Sequence, residues 1–159
     1  MDKARLLQAI IENIQRELDT QTRAALVSRD EATHEESKPE NKYDMHAQEA
    51  AYLAEGQARL AAELHENLNA YRALPIDKVT QGDAAGIGNL VTLEAKGRLS
   101  HFFIGPRSGG LEIELDGNTI TVVTPASPLG RQLVGARPGQ QLKIQGRTGP
   151  VVHQVAAVQ

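Results

Sequence analysis

Leu7, Ile11, Ile14, Leu18 and Ala25 recur along the first quarter of the chain at alternating spacings of four and three, with Gln21 as the one polar member of the row. That rhythm is a coiled-coil seam, because positions three and four apart return to the same helix face. Leu6, Ile10 and Leu26 widen the strip. A second run repeats it in Ala50, Leu53, Leu60, Leu64, Tyr71 and Leu74, with Gln57 and Asn67 as polar members. Two seams of matched length on one chain demand each other. Neither run contains Pro, and Gly56 is the one interior glycine; the break falls at Pro39, which removes a donor and disfavours helix at Lys38. The spacing therefore predicts an antiparallel helical hairpin turning around residues 35–41, with arms of about 30 residues and a rod about 45 Å long.

After Leu74 the pattern changes. Pro75 ends the second helix, and six β-rich runs follow: 87–95, 99–105, 111–115, 119–123, 141–146 and 151–158. Asp116-Gly117-Asn118 between two alternating runs is a hairpin-turn signal. Residues 127–135, SPLGRQLVG, read as a short helix with Ser127 as N-cap, Pro128 at the first helical position and Gly135 as the stop. Phe102 and Phe103, adjacent on a strand, point to opposite faces. The fold class expected is α+β: a coiled-coil hairpin over 1–74, then an antiparallel sheet domain with one short helix over 75–159.

Charge divides the same way. Residues 1–74 hold 14 acids against nine Lys and Arg, a net of -5, and residues 75–159 hold six against eight, a net of +2. That balance does not favour generic nucleic-acid binding, which needs a larger basic excess. The chain has no cysteine, which excludes disulfides, thiolate nucleophiles and cysteine-ligated metals. No apolar run approaches the roughly 18–20 residues of a membrane span, and the charged N-terminus lacks the apolar stretch of a signal peptide, so a cytoplasmic location is expected.

Few motifs carry chemistry. GDAAGIG, residues 82–88, precedes a strand instead of joining a strand to a helix, which argues against a dinucleotide loop. GRTGP, residues 146–150, lacks the lysine of a phosphate-binding loop and reads as a hairpin connection. His34, His46, His65, His101 and His153 show no i, i+4 pairing of the zinc-ligand kind. The hairpin tip differs. Asp30, Glu31, Glu35, Glu36, Glu40 and Asp44 stand there against Lys38 and Lys42. Oxygen ligands at the end of a narrow rod suit a hard cation such as Mg²⁺ held by a partner, since that ion alone keeps most of its waters.

Residues 127–144, SPLGRQLVGARPGQQLKI, together with PIDKV at 75–79 and Glu40-Asn41 at the tip, resemble the Gre-type (GreA/GreB) transcription elongation factors over nearly the whole chain. The resemblance implies an FKBP-like C-terminal domain that docks on RNA polymerase, and a hairpin that enters the polymerase's secondary channel. It also implies indirect contact with nascent RNA, DNA binding and no membrane partner. Tip acids of that family help hold the polymerase's own Mg²⁺ while backtracked RNA is cleaved, so the factor has no cofactor of its own and is not itself an enzyme. On that basis Glu36 and Glu40 are the metal-contacting candidates, supported by Glu35, Asn41 and Asp44. Ser37 stands where the family carries Asp, and Pro39 is foreign to its pattern, so a channel-binding regulator without cleavage is the alternative. A structural coiled-coil adaptor is the reading from another class; a prolyl isomerase lacks the convergent aromatics it needs. An intramolecular hairpin points to a monomer.

Overall fold

The computed structural model describes residues 2–33, 46–75, 84–146 and 149–159. Helix α1 runs Lys3–Thr33 and α2 His46–Arg72, followed by β1 Leu90–Ala95, β2 Arg98–Ile104, β3 Glu112–Leu115 and β4 Asn118–Val123. Helix α3, Pro128–Leu133, and strands β5, Gln141–Gly146, and β6, Gly149–Val158, complete the order. The architecture is thus α+β, a helical hairpin followed by a sheet with a short helix. The turn expected around 35–41, with Pro39, lies outside the described residues. Contacts divide the chain into one compact unit of Met1–Ile10 with Ala70–Gln159 and another of Ile11–Asn69.

In the unit of residues 11–69 the helices run antiparallel, joined by a hydrogen bond of 2.9 Å that the Ser28 hydroxyl donates to Gln57 Oε1. Ile14 and Leu68 are buried. The inward positions of α2 are Ala50, Ala54, Gln57, Ala61, Leu64 and Leu68, again alternating four and three. This corrects the seam read from the sequence. Leu53 and Leu60, assigned to it there, are 54% and 40% exposed, and Leu26, assigned to its α1 flank, is 52% exposed. Alanine at the contact lets two helices approach at the short end of the usual 8–10 Å separation, whereas leucine holds them apart. Ala50, Gln57, Leu64, Asn67 and Tyr71 of that seam are inward or buried as expected, and the displaced positions fall one residue later, at Ala54 and Ala61, because leucine outranks alanine in any reading by hydrophobicity. On α1, Leu6 and Ile10 are fully buried while Leu7 and Ile11 are only half-buried.

The sheet has the order β3-β4-β2-β1-β6-β5. It is mixed, not wholly antiparallel as expected: β2 and β4 pair in parallel from His101↔Ile120 to Ile104↔Val123. Burial explains the order. Ile120, Val122 and Val123 of β4 are buried and require a neighbour on each side, whereas Glu112 and Glu114 keep β3 exposed and suit it to an edge. The Asp116-Gly117 turn is as expected: both residues have positive φ, 52° and 76°, as a two-residue hairpin requires. Lys96 and Gly97 do the same between β1 and β2.

Each sheet face builds its own core. Val91, Leu93, Ile104, Val123 and Val155 pack with Leu133 and Ala136, from α3 and the turn after it, and Phe102 leans on this cluster. Leu90, Phe103, Ile120 and Val122 are buried on the other face, and the same unit buries Leu6, Ile10 and Tyr71. The two phenylalanines therefore serve opposite faces, as their adjacency required. The described part of GDAAGIG is a structural turn: Asn89 Oδ1 accepts from Gly86 N, and Asn89 Nδ2 donates to the Gln159 carbonyl.

Tyr71 joins the end of α2 to the loop after β2. Its hydroxyl donates to the Arg107 carbonyl at 2.6 Å, and burial pushes the phenol's pKa well above its ordinary value, with the backbone hydrogen bond opposing in part. Gly105 is required beneath it, since a Cβ there would run into the Tyr71 hydroxyl and Val122. Gly105→Ala is expected to cost about 2–3 kcal/mol, and less when combined with Tyr71→Phe; additive losses in a double-mutant cycle would contradict the contact. A raised phenol pKa contributes stability that is complete below pH 10.0, its ordinary value, and is lost as pH rises beyond it. Denaturation of Tyr71→Phe should accordingly show a shallower loss of stability above that pH than the native protein.

Candidate functional site

Because Ser28 pairs with Gln57, the C-terminal end of α1 and the N-terminal end of α2 lie at the same end of the helix pair. The segment 34–45 connects them, and with it the sequence-derived candidates Glu35, Glu36, Glu40, Asn41 and Asp44, all outside the described residues. None of these is therefore brought together or separated by the structure. What is described is their support. Asp30 is exposed on the last turns of α1, and the Thr33 hydroxyl donates back to the Arg29 carbonyl at 3.0 Å. Among the described residues no group of three His, Asp or Glu is placed to hold a metal ion.

The helices behind the tip meet through small and polar side chains. Gln21, Ala24, Ala25 and Ser28 of α1 face inward, as do Ala50, Ala54, Gln57 and Ala61 of α2. Ser28 is buried, so its hydroxyl must find a partner inside the pair, and Gln57 supplies it. A single cross-helix polar pair of this kind favours one register over its neighbours, since a slip leaves both groups unsatisfied. Along one flank Ala25, Leu26, Arg29, Ala54, Ala58 and Ala61 line a groove of about 410 Å³. The sequence signal for this arrangement was present in Gln21 and Gln57, polar residues sitting in register within an apolar rhythm; the alanines beside the leucines were missed.

The segment most like the Gre family forms α3 and its exit into β5. Ser127 caps α3: its Oγ accepts from Gly130 N at 3.0 Å and donates to the Thr124 carbonyl at 2.8 Å. Gly130 is packed so closely on Thr124 that a Cβ would collide with that carbonyl. Gly135, at φ 84°, turns the chain out of the helix. Beside α3, Gly109, Thr124, Ser127, Pro128 and Leu129 border an apolar groove of about 520 Å³. The Ser108 hydroxyl, adjacent to Gly109 in sequence, is buried without a hydrogen-bond partner among the described residues. A further hollow of about 420 Å³ opens where β2 and β4 begin, among Leu99, Ser100, His101, Asn118 and Thr119. There the His101 ring lies 3.1 Å from the Thr92 hydroxyl.

No family model and no curated protein matches the sequence. Solved structures do. The chain is similar to the GreA factor homolog 1 (Gfh1) of Thermus thermophilus, at 20% identity over 94% of both chains and a TM-score of 0.38. It is similar to Gfh1 of Thermus aquaticus at 18% identity, over 98% of this chain and 92% of that one, with a TM-score of 0.40. A transcription elongation factor GreA/GreB from Nitrosomonas europaea matches at 16% identity, over 65% of this chain and 78% of that one, also at 0.40. These likenesses are loose. No helix among the described residues is long and apolar enough to cross a membrane.

Ser28→Ala should destabilise the helix pair by about 1–2 kcal/mol, because Gln57 loses its partner in a partly buried place. Adding Gln57→Leu should restore most of that loss, as replacing both members by apolar groups removes the unmet hydrogen bond. Thermal unfolding followed by helical circular dichroism reads both; a double variant no better than the single one would remove the pair from this role.

Proposed function

We propose that this chain is an RNA polymerase-binding transcription factor of the Gre type. Its helix pair would work inside the polymerase's secondary channel, and its sheet unit, FKBP-like in this reading, would dock on the polymerase. The observation that carries the reading is the small-residue interior of the helix pair toward segment 34–45: there it meets through alanines, Gln21, Ser28 and Gln57 where a globular bundle would place leucines. Such a pair suits entry into a confined space, and the acid-rich segment 34–45 is carried at one end of it. The Gre-like run 127–144 adds support, because its Ser-Pro start and its glycines meet specific packing needs in α3 and its exit.

In this reading the chain is not an enzyme by itself and binds no cofactor of its own. Mg²⁺ belongs to the polymerase, where it assists hydrolysis of an RNA phosphodiester. Glu36 and Glu40 reach toward it, with Glu35, Asn41 and Asp44 in support. The factor acts as a cytoplasmic monomer and touches nascent RNA only through the complex. A second reading, occupation of the channel without cleavage, is favoured by Ser37 and Pro39, which depart from the family's tip pattern.

Stalled elongation complexes distinguish the two. Added protein should bind polymerase and shorten the RNA, and Glu36→Ala with Glu40→Ala should slow shortening at least about tenfold while leaving binding intact. Shortening that survives both substitutions rules out the tip acids. Binding without shortening by the native protein establishes the second reading, and failure to co-purify with polymerase rejects both.

A further inference from the structure

Helix α2 carries two interleaved heptad seams. Ala54, Ala61 and Leu68 belong to the one facing α1, and Leu53, Leu60 and Asn67, each one residue earlier, belong to the other. Ala50, Gln57, Leu64 and Tyr71 are common to both. At 100° per residue, averaging the positions of each set separates the two seams by about 50° around the helix. Between Ala50 and Leu64 the occupied seam offers alanine where the other offers leucine, and Leu53 and Leu60 are 54% and 40% exposed.

The surroundings accommodate either face. Between Gln21 and Ser28 the opposing strip on α1 is Ala24 and Ala25, both half-buried and without side chains long enough to lock one phase of α2. Ala25, Ala54, Ala58 and Ala61 share the groove on one flank. Helical spacing therefore puts Ala24, Val27, Leu53 and Leu60 on the opposite flank, where Val27 too is exposed. Gln57 is common to both seams, so the hydrogen bond from Ser28 is available in either. Toward the C-terminal end of α2, Asn67 and Leu68 are both buried, as is Tyr71, and that end has no second face to offer.

We infer that the part of the hairpin nearer segment 34–45 is a two-state packing element. Its α2 portion turns by about 50° about its own axis, exchanging a close alanine seam for a wider leucine seam. In the first state close approach of backbones holds the pair; in the second, greater apolar burial does. The exchange changes what the pair presents. The alanine state exposes Leu53 and Leu60, and the leucine state hides them and brings the outward edge of the alanine seam to the surface. Any partner that grips the leucines selects the first state by binding it alone. This inference does not rest on the polymerase reading.

Methyl-labelled NMR of the full chain tests it. Leu53, Ala54, Leu60 and Ala61 should show exchange on the microsecond-to-millisecond scale, or two sets of signals, while Ile10 and Leu68 show neither. Leu53→Gln with Leu60→Gln should abolish the exchange at Ala54 and Ala61 and retain helicity. Ala54→Gln with Ala61→Gln should instead bring the Leu60 methyls into contact with Ala24 and Val27. Single sharp signals with solvent-exposed leucine methyls overturn the inference. So does exchange that persists unchanged in the Leu53→Gln, Leu60→Gln variant, since that marks fraying of the helix ends.

Discussion

Tyr71 is the side chain on which the end of α2 meets the sheet. It is buried at the end of α2, sealed against Gly105 and Val122 with its hydroxyl on the Arg107 carbonyl. The phenol is held without charge by its burial, so the anchor is a packing contact with one directed hydrogen bond, not an ion pair that salt can screen. The exposed Arg5–Asp116 pair, at 3.0 Å, is of the weaker kind.

Much of this was legible in the sequence because each feature has a local physical cause. Asp116-Gly117 permits positive φ, Ser127-Pro128 begins a helix and Gly135 ends it, and these predictions hold residue by residue. The phase of the helix seam was not legible, because hydrophobicity ranks Leu53 above Ala54 and cannot register that alanine shortens the distance between axes. The parallel pairing of β2 with β4 was missed for a similar reason. Alternating runs announce strands, but neighbour order depends on which strand must be buried on both sides, and that comparison of β3 with β4 involves the whole sheet.

The candidate site divides differently. Its chemistry was read from residue types and a family resemblance at 34–45, whereas the described structure speaks to the helices that carry that segment. Their small, polar interior is independent of the acids' identity, so it joins the argument as a statement about shape. Ser37 and Pro39 speak to chemistry alone. The two lines meet only in the proposal that a slim helix pair delivers carboxylates to a metal held elsewhere.

The mixed sheet also orders events in time. Strands β1 and β2, and likewise β3 and β4, are joined by two-residue turns whose backbone conformation already matches strand twist, so each hairpin closes locally, on a scale of about 1–10 μs. The parallel contact between β2 and β4 has no such shortcut: β3 and two connections must be in place before His101 meets Ile120. Strand β6 must return from the end of the chain to lie beside β1. The sheet is thus three local hairpins, β1–β2, β3–β4 and β5–β6, joined by slow long-range closures. These long-range pairings at the centre of the sheet, more than any turn, are therefore expected to set the pace of folding.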